Sequence, residues 1–156
     1  IGNHALIKGG LFMAVGGFVA ALSSRANLSN FVGIGRRMPI TAAAFTVCGL
    51  SLAGLPLTAG FISKLYLVRA ILAGDAYVIA ALVLLSSALS LIYLWKIIEV
   101  MWMQPAPAKS PNLVENPAIY LPVWVVALAN IWFGVDASWL VAASRASAAA
   151  LLGGGL

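Results

Sequence analysis

Lys64 stands in the stretch GLPLTAGFISKL, Gly54 to Leu65, four residues beyond Gly60 and inside a run apolar enough to cross a membrane. An ammonium held in hydrocarbon costs about 2.5–3.5 kcal/mol on insertion scales. A lysine kept there is therefore a candidate for a group that sheds and regains a proton. Pro56 removes a backbone donor and obstructs the carbonyl four residues before it, while Gly54 and Gly60 loosen the chain on either side. The N–H and C=O groups freed by such a break must be received by protein or by a wet cavity. Interrupted helices occur at ion sites in transporters, where half-helix ends present partial charge. The alternative is a plain proline kink, with the lysine stem carrying its ammonium to the membrane surface. Apolar residues on both sides, including Ile40 to Ala53 before the break, place Lys64 too deep for an easy escape.

His4 and Lys8 are spaced i and i+4 and share one face of a helix. An imidazole that titrates near neutrality beside an amine suits a two-step proton relay. A helix-end histidine with a snorkelling lysine fits the same spacing, and both readings stand. Lys96 and Glu99, at i and i+3, form either an interfacial pair or the exit of a proton path. The hydroxyls of Thr41, Thr58 and Ser63 could hold water, although hydroxyls in membrane helices usually bond their own backbone. Arg69 lies off the face of Lys64 and reads as an interface anchor.

Other chemistries lack their residues. A single cysteine, Cys48, excludes an intramolecular disulfide and reads as packing, and a single histidine cannot supply both axial ligands of a membrane haem. Neither metal-ligand spacing nor a phosphate loop nor a Ser/His/Asp set is found. No cofactor, no metal and no catalytic residue is expected, and redox and hydrolytic functions are not expected within this segment.

The elements that must position these residues are helical. The chain is 63% hydrophobic and 8% charged, against about 25% charged in soluble domains. The fold expected is an all-α membrane protein with about four transmembrane helices and a C-terminal surface helix. The crossings are expected at residues 1–22, at 40–73 with a break at Gly54 to Gly60, at 76–102 and at 118–135, with the surface helix at 136–152. The polar stretch SSRANLSNFVGIGRRMP and the proline-rich QPAPAKSPNLVENP read as loops, and the terminal GGG as the end of order. The tryptophans at 95, 102, 124, 132 and 139 suit aromatic belts and helix packing. The formal net charge is +5, but the basic residues are scattered between apolar runs, so they indicate topology rather than nucleic acid. Arg25, Arg36, Arg37 and Lys109 place the first and third loops on the cytoplasmic side and the chain end opposite. The opening IGNHALIKGG reads as helix interior, so residues 1–156 are expected to be the C-terminal part of one transmembrane domain.

Four motifs in order carry a family resemblance: HALIKGGLF at His4 to Phe12, GIGRRMP at Gly33 to Pro39, LSLAGLPLTAGFISK at Leu50 to Lys64, and LIYLWKIIEVMW at Leu91 to Trp102. They resemble the proton-translocating subunits shared by Mrp-type multisubunit sodium/proton antiporters and respiratory complex I. The RRMP loop, the GFISK ending and the KIIEV tail are most similar to the D-type component of the Mrp antiporters. The resemblance implies a pair of inverted repeats, each with a broken helix, of which this chain would hold the second. It makes Lys64 the ionisable group at that broken helix, and His4 and Lys8 the relay on the preceding one. It also implies a bacterial plasma-membrane complex with other membrane subunits, moving H⁺ and Na⁺. Ile7 and Gly10 depart from the family pattern, which favours an aromatic and alanine or another small apolar residue there. The rivals are an antiporter-like subunit of complex I or of a membrane-bound hydrogenase, and a non-conducting scaffold whose buried charges lock helix packing.

Overall fold

The computed structural model describes residues 2–23, 27–106, 113–151 and 153. The expectations placed on Arg25, Lys109 and the last two glycines of the GGG run lie outside the described residues. The described residues form helices without strands: α1 (Gly2–Leu22), a short α2 (Ile34–Arg37), α3 (Pro39–Ala53), α4 (Ala59–Ala73), α5 (Tyr77–Ile98), α6 (Pro117–Val135) and α7 (Ser138–Leu151). By length and composition α1, α6 and the segment Tyr77–Met103 can each cross a membrane, while α3 is apolar but shorter. The chain is an all-α membrane protein.

Helix α3 begins with Pro39, whose fixed φ suits a first turn and whose missing N–H is not needed there. Its other leading donors are met from far along the chain. The carboxylate of Glu115 accepts from Ile40 N at 2.8 Å, Thr41 N at 2.8 Å and the Thr41 hydroxyl at 2.7 Å. A carboxylate at this end also complements the helix dipole. Trp124 donates its indole N–H to Ile40 O at 3.1 Å, so α6 and the residues leading into it grip the start of α3 twice.

The core lies where α1, α3 and α6 meet. Ala14 and Phe18 of α1, Ala42, Phe45 and Cys48 of α3, and Val123 and Ala127 of α6 are buried together. Water-driven burial does not hold helices together in lipid, so close approach through small residues takes its place. Gly10 faces the Cys48 sulfur and Val126, and Gly17 faces Ile119, at separations that a Cβ would violate. Phe18 stacks edge-on against Phe31, with ring centroids 5.6 Å apart. Helix α5 joins from outside, leaving Leu82, Leu85, Leu89 and Ile92 exposed. It ends in a π turn, Glu99–Met103, whose Val100 carbonyl accepts from Gly33 N at 3.0 Å.

The interruption between α3 and α4 is present, with one correction to its limits. The break runs from Gly54 to Thr58, and Gly60 already lies in the first turn of α4. Gly60 is small because of contact rather than conformation: a Cβ there would overlap the backbone carbonyl of Ser51.

Glu115→Ala leaves two donors and a hydroxyl at the α3 start without their acceptor. It is expected to lower stability by about 1–2 kcal/mol, with Glu115→Gln intermediate because it keeps one acceptor oxygen. Thermal unfolding of the detergent-solubilised protein measures this, and an unchanged midpoint for Glu115→Ala would show that the cap contributes nothing.

Candidate functional site

A helix leaves its last four carbonyls without intrahelical donors. At the end of α3 these are Leu50, Ser51, Leu52 and Ala53. Gly54 adopts φ +89°, a left-handed conformation open to glycine at no steric cost. This lets the chain fold back so that Leu55 N reaches Leu50 O and Gly54 N reaches Ser51 O, each at 3.1 Å. Two carbonyls remain, and Lys64 takes both. Its Nζ donates to Leu52 O at 3.1 Å and to Ala53 O at 2.7 Å. The lysine stem lies against Gly54, where a Cβ would be 2.8 Å from Cδ. One glycine thus supplies both the turn and the groove for the side chain.

The same exchange occurs in reverse at the start of α4. Gly60 N donates to the Ser51 hydroxyl at 3.3 Å. Ser51 in turn donates to Asn130 Oδ1 at 3.2 Å, and Asn130 donates through Nδ2 to Val126 O at 3.0 Å. Ser51 and Asn130 are both fully buried. Thr58 stands where a cap would be expected, but its hydroxyl donates back to Leu55 O at 2.7 Å. Asn3, near the start of α1, donates to Ala59 O at 3.1 Å and to the Ser63 hydroxyl at 2.7 Å. Gly134 of α6 sits directly on the backbone of Leu57 and Thr58. Leu57 holds φ +69°, a costly conformation for a branched side chain, kept in place by these neighbours.

A cavity of about 580 Å³ opens between α1, α3 and α5. Lys8, Phe12, Leu52, Ala53, Ser90 and Tyr93 are among its walls. Leu52 and Ala53, whose carbonyls hold Lys64, thus border the same cavity as Lys8, while Lys64 itself is not among its walls. His4 is exposed and lines neither this cavity nor a second of about 410 Å³ bounded by Asn3, Ser63, Tyr66 and Ser144. Lys64 is half-buried and Lys8 exposed. Lys96 is exposed and Glu99 half-buried at the start of the π turn; no ion pair joins the two. Pro56 is exposed in the turn itself. The hydroxyls of Thr41, Thr58 and Ser63 are all engaged as donors, to Glu115, Leu55 O and Ala59 O.

Three residues of this site, Asn3, Ser51 and Asn130, escape sequence reasoning, as does Glu115 at the far end of α3. An asparagine within the apolar run of α6 and an acid in an acid-poor chain are signals that could have found two of them. Their partners lie 79 and about 75 residues away, beyond any helical spacing.

Comparison with known proteins adds an independent line. The N subunit of NADH-quinone oxidoreductase from Desulforudis audaxviator is 43% identical over 105 residues, 67% of this chain and 21% of its own length. The D component of the Na(+)/H(+) antiporter from Bacillus subtilis is 31% identical over 139 residues, 88% of this chain and 28% of its own length. The chain thus spans less than a third of either relative. The structure of the Mrp complex from Dietzia sp. DQ12-45-1b superposes with a TM-score of 0.81 over 94% of this chain and 35% of that one, at 23% identity, a likeness of fold. Residues 2–90 match the transmembrane family described as NADH:quinone oxidoreductase/Mrp antiporter, and the chain belongs to that family.

Proposed function

We propose that the chain translocates protons as part of a multisubunit membrane complex in a bacterial plasma membrane, with Lys64 as the group that carries the proton. The supporting observation is the double hydrogen bond of Lys64 to the two carbonyls left open at the end of α3. An ammonium there is favoured by two charge-assisted bonds and by the negative end of the helix dipole. When Lys64 gives up its proton its amine keeps two N–H groups but loses the charge that strengthened both bonds, so water from the cavity shared with Lys8 competes for Leu52 O and Ala53 O.

The walls of that cavity are mostly apolar, and an apolar void stays dry unless polar groups hold water in it. Hydration in this site accordingly follows charge: water enters when Lys8 or the freed carbonyls demand it and leaves when Lys64 closes over them. Lys8 is the next station, and His4, exposed one turn earlier on α1, is the outer one. Gly54, Pro56 and Gly60 act through the geometry of the break, while Lys96 and Glu99 belong to a separate exit at the end of α5.

For the coupled reaction we propose exchange with Na⁺, as the name of the Bacillus subtilis relative states for that protein. The 43% identity to a component of an NADH-quinone oxidoreductase favours a second reading, in which the proton movement serves quinone-linked electron transfer in partner subunits. Proton movement through Lys64 is common to both.

Lys64→Met in the intact complex is expected to reduce pH-gradient formation in everted vesicles by at least about 100-fold, the lower range for a proton-transferring group, while assembly persists. Lys64→Arg keeps a cation that cannot be deprotonated and is expected to fail equally. Normal transport by either variant would reject the assignment and favour the scaffold reading, in which replacing a buried charge is neutral or stabilising. Lys8→Ala and His4→Ala are expected to give partial losses in the same assay, larger for Lys8, and wild-type flux in either removes that residue from the path.

A further inference from the structure

The buried link from Asn130 through Ser51 to Gly60 is not needed to carry a proton. The Ser51 hydroxyl has one proton, committed to Asn130 Oδ1, and it accepts from Gly60 N. The orientation of Asn130 is fixed by Val126 O, which requires a donor and so takes Nδ2, leaving Oδ1 for Ser51. A neutral amide and a hydroxyl held in this way are poor proton carriers. They are well suited to hold a backbone still.

Gly60 is the second residue of α4, one of the leading donors that a helix cannot satisfy by itself. A capping side chain normally comes from the residue just before the helix. Here Thr58 is turned away toward Leu55 O, and the cap arrives from Ser51 in the last turn of α3. The turn that holds Lys64 through the Leu52 and Ala53 carbonyls thus also holds the beginning of the helix that carries Lys64. These two ties across the break differ in kind: one is ionic and depends on protonation, the other is neutral and constant.

We propose that Asn130, acting through Ser51, is a positioning residue that keeps α3 and α4 in register while Lys64 releases and regains its carbonyls. This rests on the reading of Lys64 as the proton carrier. Without the neutral tie, each release of Lys64 would leave α3 and α4 joined mainly by the chain itself, since Asn3 bonds only the α4 side, at Ala59 O and Ser63. With it, Lys64 returns to the same two oxygens on every cycle. Gly134, one turn beyond Asn130 on α6, presses on Leu57 and Thr58, so α6 meets the break on both sides of the turn.

The test uses the intact complex. Ser51→Ala and Asn130→Ala are each expected to slow proton transport per assembled complex about tenfold, the scale of a buried donor left without its partner. Ser51→Thr, which keeps the hydroxyl, is expected to restore most of the rate. The double variant is expected to be no slower than the slower single variant, because the two residues act as one unit. Rates within twofold of wild type for both single variants, or losses that multiply in the double variant, would overturn the proposal.

Hydrogen exchange at the Gly60 amide separates this idea from the function on which it rests. The amide is expected to be protected in the wild-type complex and to exchange about tenfold faster in Ser51→Ala. Fast exchange in the wild type, or no change in the variant, sinks the proposal even where Lys64→Met abolishes transport. It also decides the matter where Asn130→Ala fails to assemble. Conversely, if Gly60 responds as expected but Lys64→Met transports normally, the tie is real and the proton-carrier reading is wrong.

Discussion

The structure turns on two carbonyl oxygens. Once Gly54 has folded the chain back, Leu50 O and Ser51 O have donors, whereas Leu52 O and Ala53 O do not. In hydrocarbon an unmet backbone group costs several kcal/mol, so a helix that stops in mid-membrane requires a donor from elsewhere. Lys64 is that donor, and its long stem spans the distance only because Gly54 presents no side chain in its way. The residue that breaks the helix, the residue that heals it and the residue proposed to move the proton are therefore one local solution to a hydrogen-bonding problem.

The two ends of α3 are treated alike in chemistry and differently in function. A carboxylate, Glu115, meets the leading N–H groups, and an ammonium meets the trailing carbonyls, each of the sign that the helix dipole favours. Such dipole effects fade within one turn, and the 15 residues of α3 separate these charges by about 22 Å at 1.5 Å per residue. Glu115 therefore anchors its own end without tuning Lys64. The anchoring still matters, because α6 and its approach then hold α3 at Ile40 and Thr41, at Ser51, and through Gly134 at the turn beyond it. An interrupted helix supported along its whole length can release one bond without losing its place.

Much of this was legible in the sequence because it depends on local rules. Proline and glycine within an apolar run mark a break, length and composition mark the apolar helices, and a lysine within such a run marks a candidate ionisable group, which the fold leaves half-buried. What remained hidden was non-local. Ser51 reads as an ordinary hydroxyl until Asn130 is brought to it from α6, and Glu115 reads as a loop acid until its carboxylate meets Thr41. Gly60 looks in the sequence like a residue that loosens the break, whereas it is the contact point between α4 and Ser51. The pairing of His4 with Lys8 was legible as spacing, yet the cavity lies on the side of Lys8, and helical periodicity alone does not say which neighbour fills or leaves open the space beside a face.

The energies explain why the side chain is a lysine. A charged lysine in the membrane costs about 2.5–3.5 kcal/mol, and each hydrogen bond from a charged group returns about 1.5–3 kcal/mol. Two such bonds therefore offset the cost of keeping the ammonium at this position. An arginine would hold the same oxygens more firmly but could not let the proton go. A neutral donor would satisfy the carbonyls and carry nothing. In the proposed function a titratable amine completes the hydrogen bonding of the broken helix and weakens its hold when its proton departs, so that the closing of the backbone responds to the charge being moved.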